Sequence, residues 1–293
     1  MEGRRRSKGL KMKFGAHVST AGGLSKAVAR GQEIGCEAIQ IFGSSPQDWA
    51  FKPVPREQIE LFKQGLVAGI GPVFLHAIYL INLGAPSKDT LQKGRLANQL
   101  HGPGGRYRCD GRNSPSGSHG GRGFKTVLPQ VVEAIKVVLD SSPDGPCLAV
   151  ENMVGMGQHI GAKFDESGAI LKAVDSPRLK TCLDTRHSFA AGYDLTDSQG
   201  IQAMLDELDE GADSANVAAI HANDSKRVCG SGVDRHDNID GFIGEEGFTA
   251  IMGHPAFAEV PFLLDVPGFE GKGPDQQNID ILKKIRTRVG LSS

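Results

Sequence analysis

Six residues able to hold a cation stand at or near the ends of short apolar runs. They are His17 in KFGAHVS, His76 in PVFLHA, Glu151 in PCLAVEN, Asp184 in LKTCLDT, His221 in NVAAIHAND and Asp265 in VPFLLDV. One histidine in such a place is ordinarily a hydrogen-bonded structural residue. Six His, Asp or Glu side chains converging on one mouth are different. Carboxylates packed together repel and take up protons unless positive charge sits among them. Divalent cations meet that need. Two further groups extend the set. CLDTRHSFAAGYD places Asp184 and His187 three residues apart, just past one run. HANDSKRVCGSGVDRHDNI follows His221 with Asp234 and His236, on either side of an arginine. Imidazole mixed with carboxylate suits Zn2+ first, with Mn2+ and iron as second choices.

Such residues need a frame to bring them together. Seven apolar runs, at 13–19, 38–43, 72–77, 146–152, 179–185, 216–224 and 260–266, alternate with helical patterns. Nearly continuous apolar strands are buried on both faces, as in a parallel sheet. Strict alternation over 293 residues favours an α/β fold of the (β/α)8 TIM-barrel type. Active sites in such barrels lie at the C-terminal ends of the strands.

The eighth strand is missing from the pattern. Between the helix DTLQKGRLANQL and the helix GFKTVLPQVVEAIKVVLD runs RYRCDGRNSPSGSH, with almost nothing apolar. The fourth strand is therefore expected to be disrupted at about 102–118, as an irregular glycine-rich loop. Backbone groups left unpaired by its loss would each cost roughly 1–3 kcal/mol if buried. With freely chosen codons, reading one nucleotide later turns residues 101–115 into the end of a helix, a turn and a strand ending Met-Val-Val-Ile-His. The segment thus reads as a compensated frameshift, with a genuine insertion as the alternative. Resequencing the gene separates the two.

Composition narrows the setting. Lys and Arg number 33 against 34 Asp and Glu, a net charge of −1, so any basic surface for nucleic acid must be local. Five cysteines without a CxxC suggest a reduced, cytoplasmic protein. No apolar run is long enough to span a membrane. Residues 1–12 read as a flexible basic extension, with Met12 a natural first residue, and 13–293 as one barrel domain. A monomer is expected.

With these residues in place, GAHVSTAGGL, LHAIYLINLG, AVENMVGMG, CLDTRHSFAAGYD, IHANDSK, DRHDNI and VPFLLDVPG together resemble the motifs of endonuclease IV, the zinc-dependent AP endonuclease family. The likeness runs from about residue 13 to the C-terminus, interrupted at about 101–116. It implies a (β/α)8 barrel with three zinc ions that cleaves double-stranded DNA 5′ to abasic sites. It also implies roles. Glu151 bridges two metals and orients the attacking hydroxide. His76 serves the first metal; Asp184, His221 and Asp265 serve the second; His187, Asp234 and His236 hold the third. Tyr79, with Leu80 beside it, enters the DNA at the lesion.

Three departures matter. Where the family carries HPGSH, this chain reads SPSGSH, with Pro115 in place of a first-metal histidine and His119 surviving as the motif's second. Asp265 stands where the family has glutamate. Gln47 replaces an arginine that grips DNA. Two other readings stay open. A sugar isomerase or epimerase on the related barrel would use one metal and would not require His187, Asp234 and His236. A DNA-binding relic would keep the surface and lose activity through the 101–116 segment.

Overall fold

A computed structural model of the chain describes residues 12–43, 49, 54–67, 69–93, 110–141 and 146–291. Eight parallel strands close into a barrel. They are β1 Phe14–His17, β2 Ala38–Phe42, β3 Val73–His76, β4 Gly111–Pro115, β5 Cys147–Glu151, β6 Leu179–Asp184, β7 Val217–His221 and β8 Phe262–Leu264. Neighbours in the barrel follow chain order, and β8 closes on β1.

Around it lie α1 Ser25–Glu33, α2 Arg56–Leu66, α3 Phe124–Asp140 and α4 Phe164–Val174. They are followed by α5 Thr185–Ala190, α6 Ser198–Gly211, α7 Gly244–Gly253 and α8 Gln276–Arg288. Residues 88–93 begin the helix expected at 89–100, whose remainder lies outside the described residues, as do residues 1–11 of the N-terminal extension. A two-residue antiparallel ribbon joins Asp224–Ser225 to His236–Asp237.

Two apolar zones hold the frame. Inside the barrel, Ala38, Phe74, Ala149, Cys182, Ala219 and Leu263 pack together. Small residues alternate there with large ones, as a tapered interior requires. Outside, strand residues meet the helices' apolar stripes. Val127, Val131, Ala134, Ile135 and Val138 of α3 cover Leu148 and Val150 of β5, for example. These stripes repeat at helical spacing, which is why the segments form helices that lie against the sheet.

The expected disruption of the fourth strand is not found: Gly111–Pro115 forms β4 and completes the barrel. Phe74, Leu75 and His76 of β3 pair with Gly111, Arg112 and Asn113. On the other side β4 runs in register with β5, from Gly111 opposite Cys147 to Pro115 opposite Glu151. Ladder hydrogen bonds come from the backbone and do not require apolar side chains. The open edges of β3 and β5 supply partners for whatever chain runs between them. The polar side chains are also accommodated. Asn113 is fully buried and donates to Gln40 at 2.7 Å. Bulk is lent by a neighbour: a Cβ on Gly111 would come within 2.5 Å of the Phe74 ring, which occupies that space. The backbone groups that loss of this strand would have left unpaired are partnered by β4 on both sides.

Candidate metal centre

The strand register brings the ligand-type residues to one end of the barrel. Phe42 pairs with His76, Pro115 with Glu151, and Asp184 with His221. A cavity of about 200 Å³ opens there. Its lining includes His76, Tyr79, Pro115, Glu151, Met153, Asp184, His187, His221, Asp234, His236 and Asp265.

Within it, two groups of donor atoms each lie within 4.8 Å of one another: His76, Glu151 and His221, and Asp184, His187 and His236. In the first group, Glu151 Oε1 lies 2.9 Å from His221 Nδ1, and Glu151 Oε2 lies 3.4 Å from His76 Nε2. Asp234 joins the second group, 3.2 Å from His236 Nε2 and 3.7 Å from His187 Nε2. The groups adjoin: His221 Nδ1 is 3.7 Å from Asp184, and His187 Nδ1 is 3.5 Å from Glu151. His221, which the resemblance sets with Asp184 and Asp265, lies near both Glu151 and Asp184, and its compact group is with His76 and Glu151. Asp265 lines the cavity but belongs to neither compact group.

Three histidines have their tautomers set by the main chain. Nδ1 of His76 donates to the Ala77 carbonyl at 2.6 Å, Nδ1 of His187 to Asn152 at 2.8 Å, and Nδ1 of His236 to Asp265 at 2.6 Å. A carbonyl can only accept, so Nδ1 carries a proton and Nε2 is the atom turned to the carboxylates. Metal-binding imidazoles are characteristically anchored this way.

Asp184 is held as firmly. It ends β6 and caps α5, its Oδ1 accepting the His187 N–H at 2.8 Å, while Oδ2 accepts from Asn223 at 2.8 Å. Asn223 also receives the Asp265 N–H at 2.8 Å. Asn152 accepts the Asp184 N–H at 2.7 Å and donates to Ser188. Arg186, wholly buried, donates Nε–H to the Arg235 carbonyl at 3.1 Å and so pins the turn carrying Asp234 and His236. Sequence reasoning missed Asn152, Asn223 and Arg186 as site residues. Their signal was adjacency: each lies within two residues of a candidate ligand.

The electrostatics fit a cation. Burial disfavours charge on Glu151, yet the imidazoles of His221, His76 and His187 hold its pKa well below the ordinary carboxylate value. Burial likewise opposes the imidazolium at His187, but Asp184, Asp234 and Glu151 lift its pKa to about 10. His236 is raised to about 9 against its burial, with Asp234 and Asp184 the charges responsible. The cluster thus concentrates negative charge that draws positive charge into a buried place. Oriented imidazole nitrogens among carboxylates are the donor set that zinc takes.

His17 does not line the cavity; its ring packs on Phe42 at 4.2 Å and burial lowers its pKa to about 4. Pro115 lines the wall without a side-chain donor. His119 accepts the Gly123 N–H through Nδ1 at 3.2 Å, away from the cavity. Tyr79 and Leu80 are exposed at the rim, 56% and 38%, with the Tyr79 ring 5.5 Å from that of His76. Gln47 lies outside the described residues.

Residues 28–285 match the family described as xylose isomerase-like TIM barrel. The chain is 37% identical over 283 residues to a protein of Halothermothrix orenii named "Probable endonuclease 4", covering 93% of this chain and all of that one. It superposes on the crystal structure of endonuclease IV from Thermus thermophilus with a TM-score of 0.82 at 30% identity, covering 94% of this chain and 99% of that one. A D-tagatose 3-epimerase-like protein shares the fold, with a TM-score of 0.71 at 17% identity and 95% of this chain covered against 98% of that one. The chain belongs to the endonuclease 4 family, within the xylose isomerase-like TIM barrels.

Proposed function

We propose that this protein is a metal-dependent DNA repair endonuclease that hydrolyses the phosphodiester 5′ to an abasic site, leaving a 3′-hydroxyl and a 5′-deoxyribose phosphate. The observation that carries the reading is one cavity bordered by four histidines and four carboxylates at the mouth of an endonuclease 4 barrel. Divalent cations in such a site supply Lewis acidity and neutralise a phosphodiester's charge. His76, Glu151 and His221 would hold one; Asp184, His187, His236 and Asp234 would hold another. Zinc is the metal of choice because imidazoles make up half of the cavity's ligand-type side chains. Pro115 removes one donor, so two zinc ions are expected here in place of the three the family implies.

The chain's own residues then have defined work. Glu151, buried and held as a carboxylate, accepts a hydrogen bond from the attacking water and sets its line of approach. Tyr79 and Leu80 insert at the lesion, where the stack is already weakened. A baseless sugar costs less to extrude than a paired nucleotide, which gives selectivity for the lesion. A one-metal sugar isomerase would not require the Asp184, His187 and His236 group beside the first. Among the described residues no helix is long and apolar enough to cross a membrane. Cys36, Cys147, Cys182 and Cys229 are free thiols, which fits a reduced, cytoplasmic setting in which the protein acts as a monomer.

Zinc analysis paired with cleavage of a duplex bearing one abasic site tests the proposal. Bound zinc, with cleavage 5′ to the lesion that a chelator abolishes, is expected. A zinc-loaded protein that leaves the abasic strand intact would overturn it.

A further inference from the structure

We infer that Gln40, braced by Asn113, is a positioning residue that fixes His221 with its proton on Nε2 and so turns Nδ1 toward the cation shared with Glu151. Three of the site's histidines are oriented by main-chain carbonyls. His221 has a side-chain partner in that role. Its Nε2 lies 3.0 Å from Gln40 Oε1, while Nδ1 faces Glu151 at 2.9 Å. Gln40 is a fully buried amide on β2, in a strand otherwise made of Ala, Ile and Phe. A buried amide without partners is costly, so its presence there calls for a specific set of hydrogen bonds.

That set leaves the carboxamide one orientation. Two donors converge on the same Gln40 atom: Asn113 Nδ2 at 2.7 Å and His221 Nε2 at 3.0 Å. The two nitrogens stand 3.2 Å apart, close enough to share that one acceptor. Flipping the Gln40 amide would set its NH2 against that of Asn113, so with Asn113 donating the converging atom is oxygen. Gln40 Nε2 then lies 3.3 Å from His17 Nδ1, which serves as its acceptor. With the oxygen so placed, His221 donates from Nε2, and Nδ1 is the ring atom left to face Glu151 and a cation that displaces its proton. The network also gives β4 a function. The strand residue Asn113, in the segment that looks least like a strand, holds the amide that holds the ligand.

The inference rests on His221 being a cation ligand, and the experiment separates the two ideas. The zinc-loaded protein, labelled with 15N in its imidazoles, is first read by long-range proton–nitrogen correlation. His221 should show the Nε2–H tautomer, with the Nδ1 resonance displaced by zinc. Zinc release to a competing chelator is then compared among wild type, Gln40→Met and Gln40→Glu. Methionine keeps the size and removes the acceptor; it should weaken the more labile zinc by roughly 10–100-fold, the usual effect of losing such a partner. The kcat on abasic duplex should fall with KM little changed. Glutamate, which keeps an oxygen in place, should restore most of both. An Nδ1–H tautomer in the zinc-loaded wild type, or a Gln40→Met protein that holds zinc like the wild type, overturns the inference. Should Gln40→Met fail to fold, the wild-type tautomer decides alone. Wild-type protein that binds no zinc would instead overturn the metal-site reading.

Discussion

Glu151 Oε1 and His221 Nδ1 lie 2.9 Å apart at the ends of β5 and β7, with β6 between those strands. The contact joins strands that are next-but-one neighbours in the sheet, so it depends on the register that β6 sets between them. Glu151 also meets His76 and His187, which makes it a carboxylate facing three imidazoles. Replacing it by Gln keeps the shape and removes the charge. Cleavage of abasic duplex by Glu151→Gln should fall by roughly 10²–10³-fold or more, on the scale of losing a preorganised electrostatic group. Circular dichroism should show the fold largely intact. An active Glu151→Gln enzyme would mean that the central ligand is misassigned.

Tyr79 stands half out of the rim, beside the rings of His76 and Phe42. If it fills the gap at the lesion, Tyr79→Ala should lose preference for abasic over intact duplex. One aromatic–base stack contributes roughly 1–3 kcal/mol. Anisotropy titrations with both duplexes should show the loss confined to the abasic one, and Tyr79→Phe should keep most of the preference. Equal losses on both duplexes would assign Tyr79 to general backbone binding.

At the opposite end of the barrel, Arg286 of α8 meets Glu37 with two hydrogen bonds, at 2.8 and 3.0 Å. The same guanidinium donates to the Met12 carbonyl and lies over the Phe14 ring. It thereby ties the last helix to the first strand. Burial works to raise the Glu37 pKa, but Arg286 and the Phe14 N–H outweigh it, and the carboxyl titrates below its ordinary value of 4.5. A depressed carboxyl stabilises the fold above its unfolded pKa and loses that contribution as pH falls through the folded value. Glu37→Gln should therefore cost about 1–3 kcal/mol at pH 7, the scale of hydrogen bonds to charged groups. The gap in melting temperature should close as pH drops below about 4, just under the unbound carboxylate range. A gap that stays constant down to about pH 3, well under that range, would show that Glu37 carries no charge-dependent stability.

Much of this was legible in the chain. The run AIQIFG, with its buried apolar alternation and flanking glycine, corresponds to β2 at Ala38–Phe42, and the other six apolar runs likewise mark strands. The ligand-type residues announced themselves because they interrupt those runs at one end. What escaped was context. Gly-Arg-Asn-Ser-Pro has no strand propensity, and only the waiting edges of β3 and β5 make it β4; strand preference depends on surroundings in this way. Gln40 reads as a polar blemish in an apolar strand until the barrel closes and sets it beside His221 and Asn113. Arg186 gives no hint of burial, since arginine is ordinarily a surface residue.

Pro115 offers the sharpest remaining test. It lines the cavity and pairs in register with Glu151, where the resemblance expects an imidazole. Proline brings neither a side-chain donor nor a backbone N–H. Pro115→His would restore both in a strand already held by β3 and β5. An imidazole entering from that wall would stand beside the carboxylate that His76 and His221 face, and give that corner a further ligand. With the new imidazole, His76 and Glu151 would hold one cation and leave His221 with Asp184 for another, so atomic emission on dialysed protein should find about one more zinc per chain than in the wild type. Cleavage of abasic duplex should rise with it. Unchanged zinc content in a folded Pro115→His protein would mean that the wild-type site is already complete, and that His76, Glu151 and His221 suffice for the cation assigned to them.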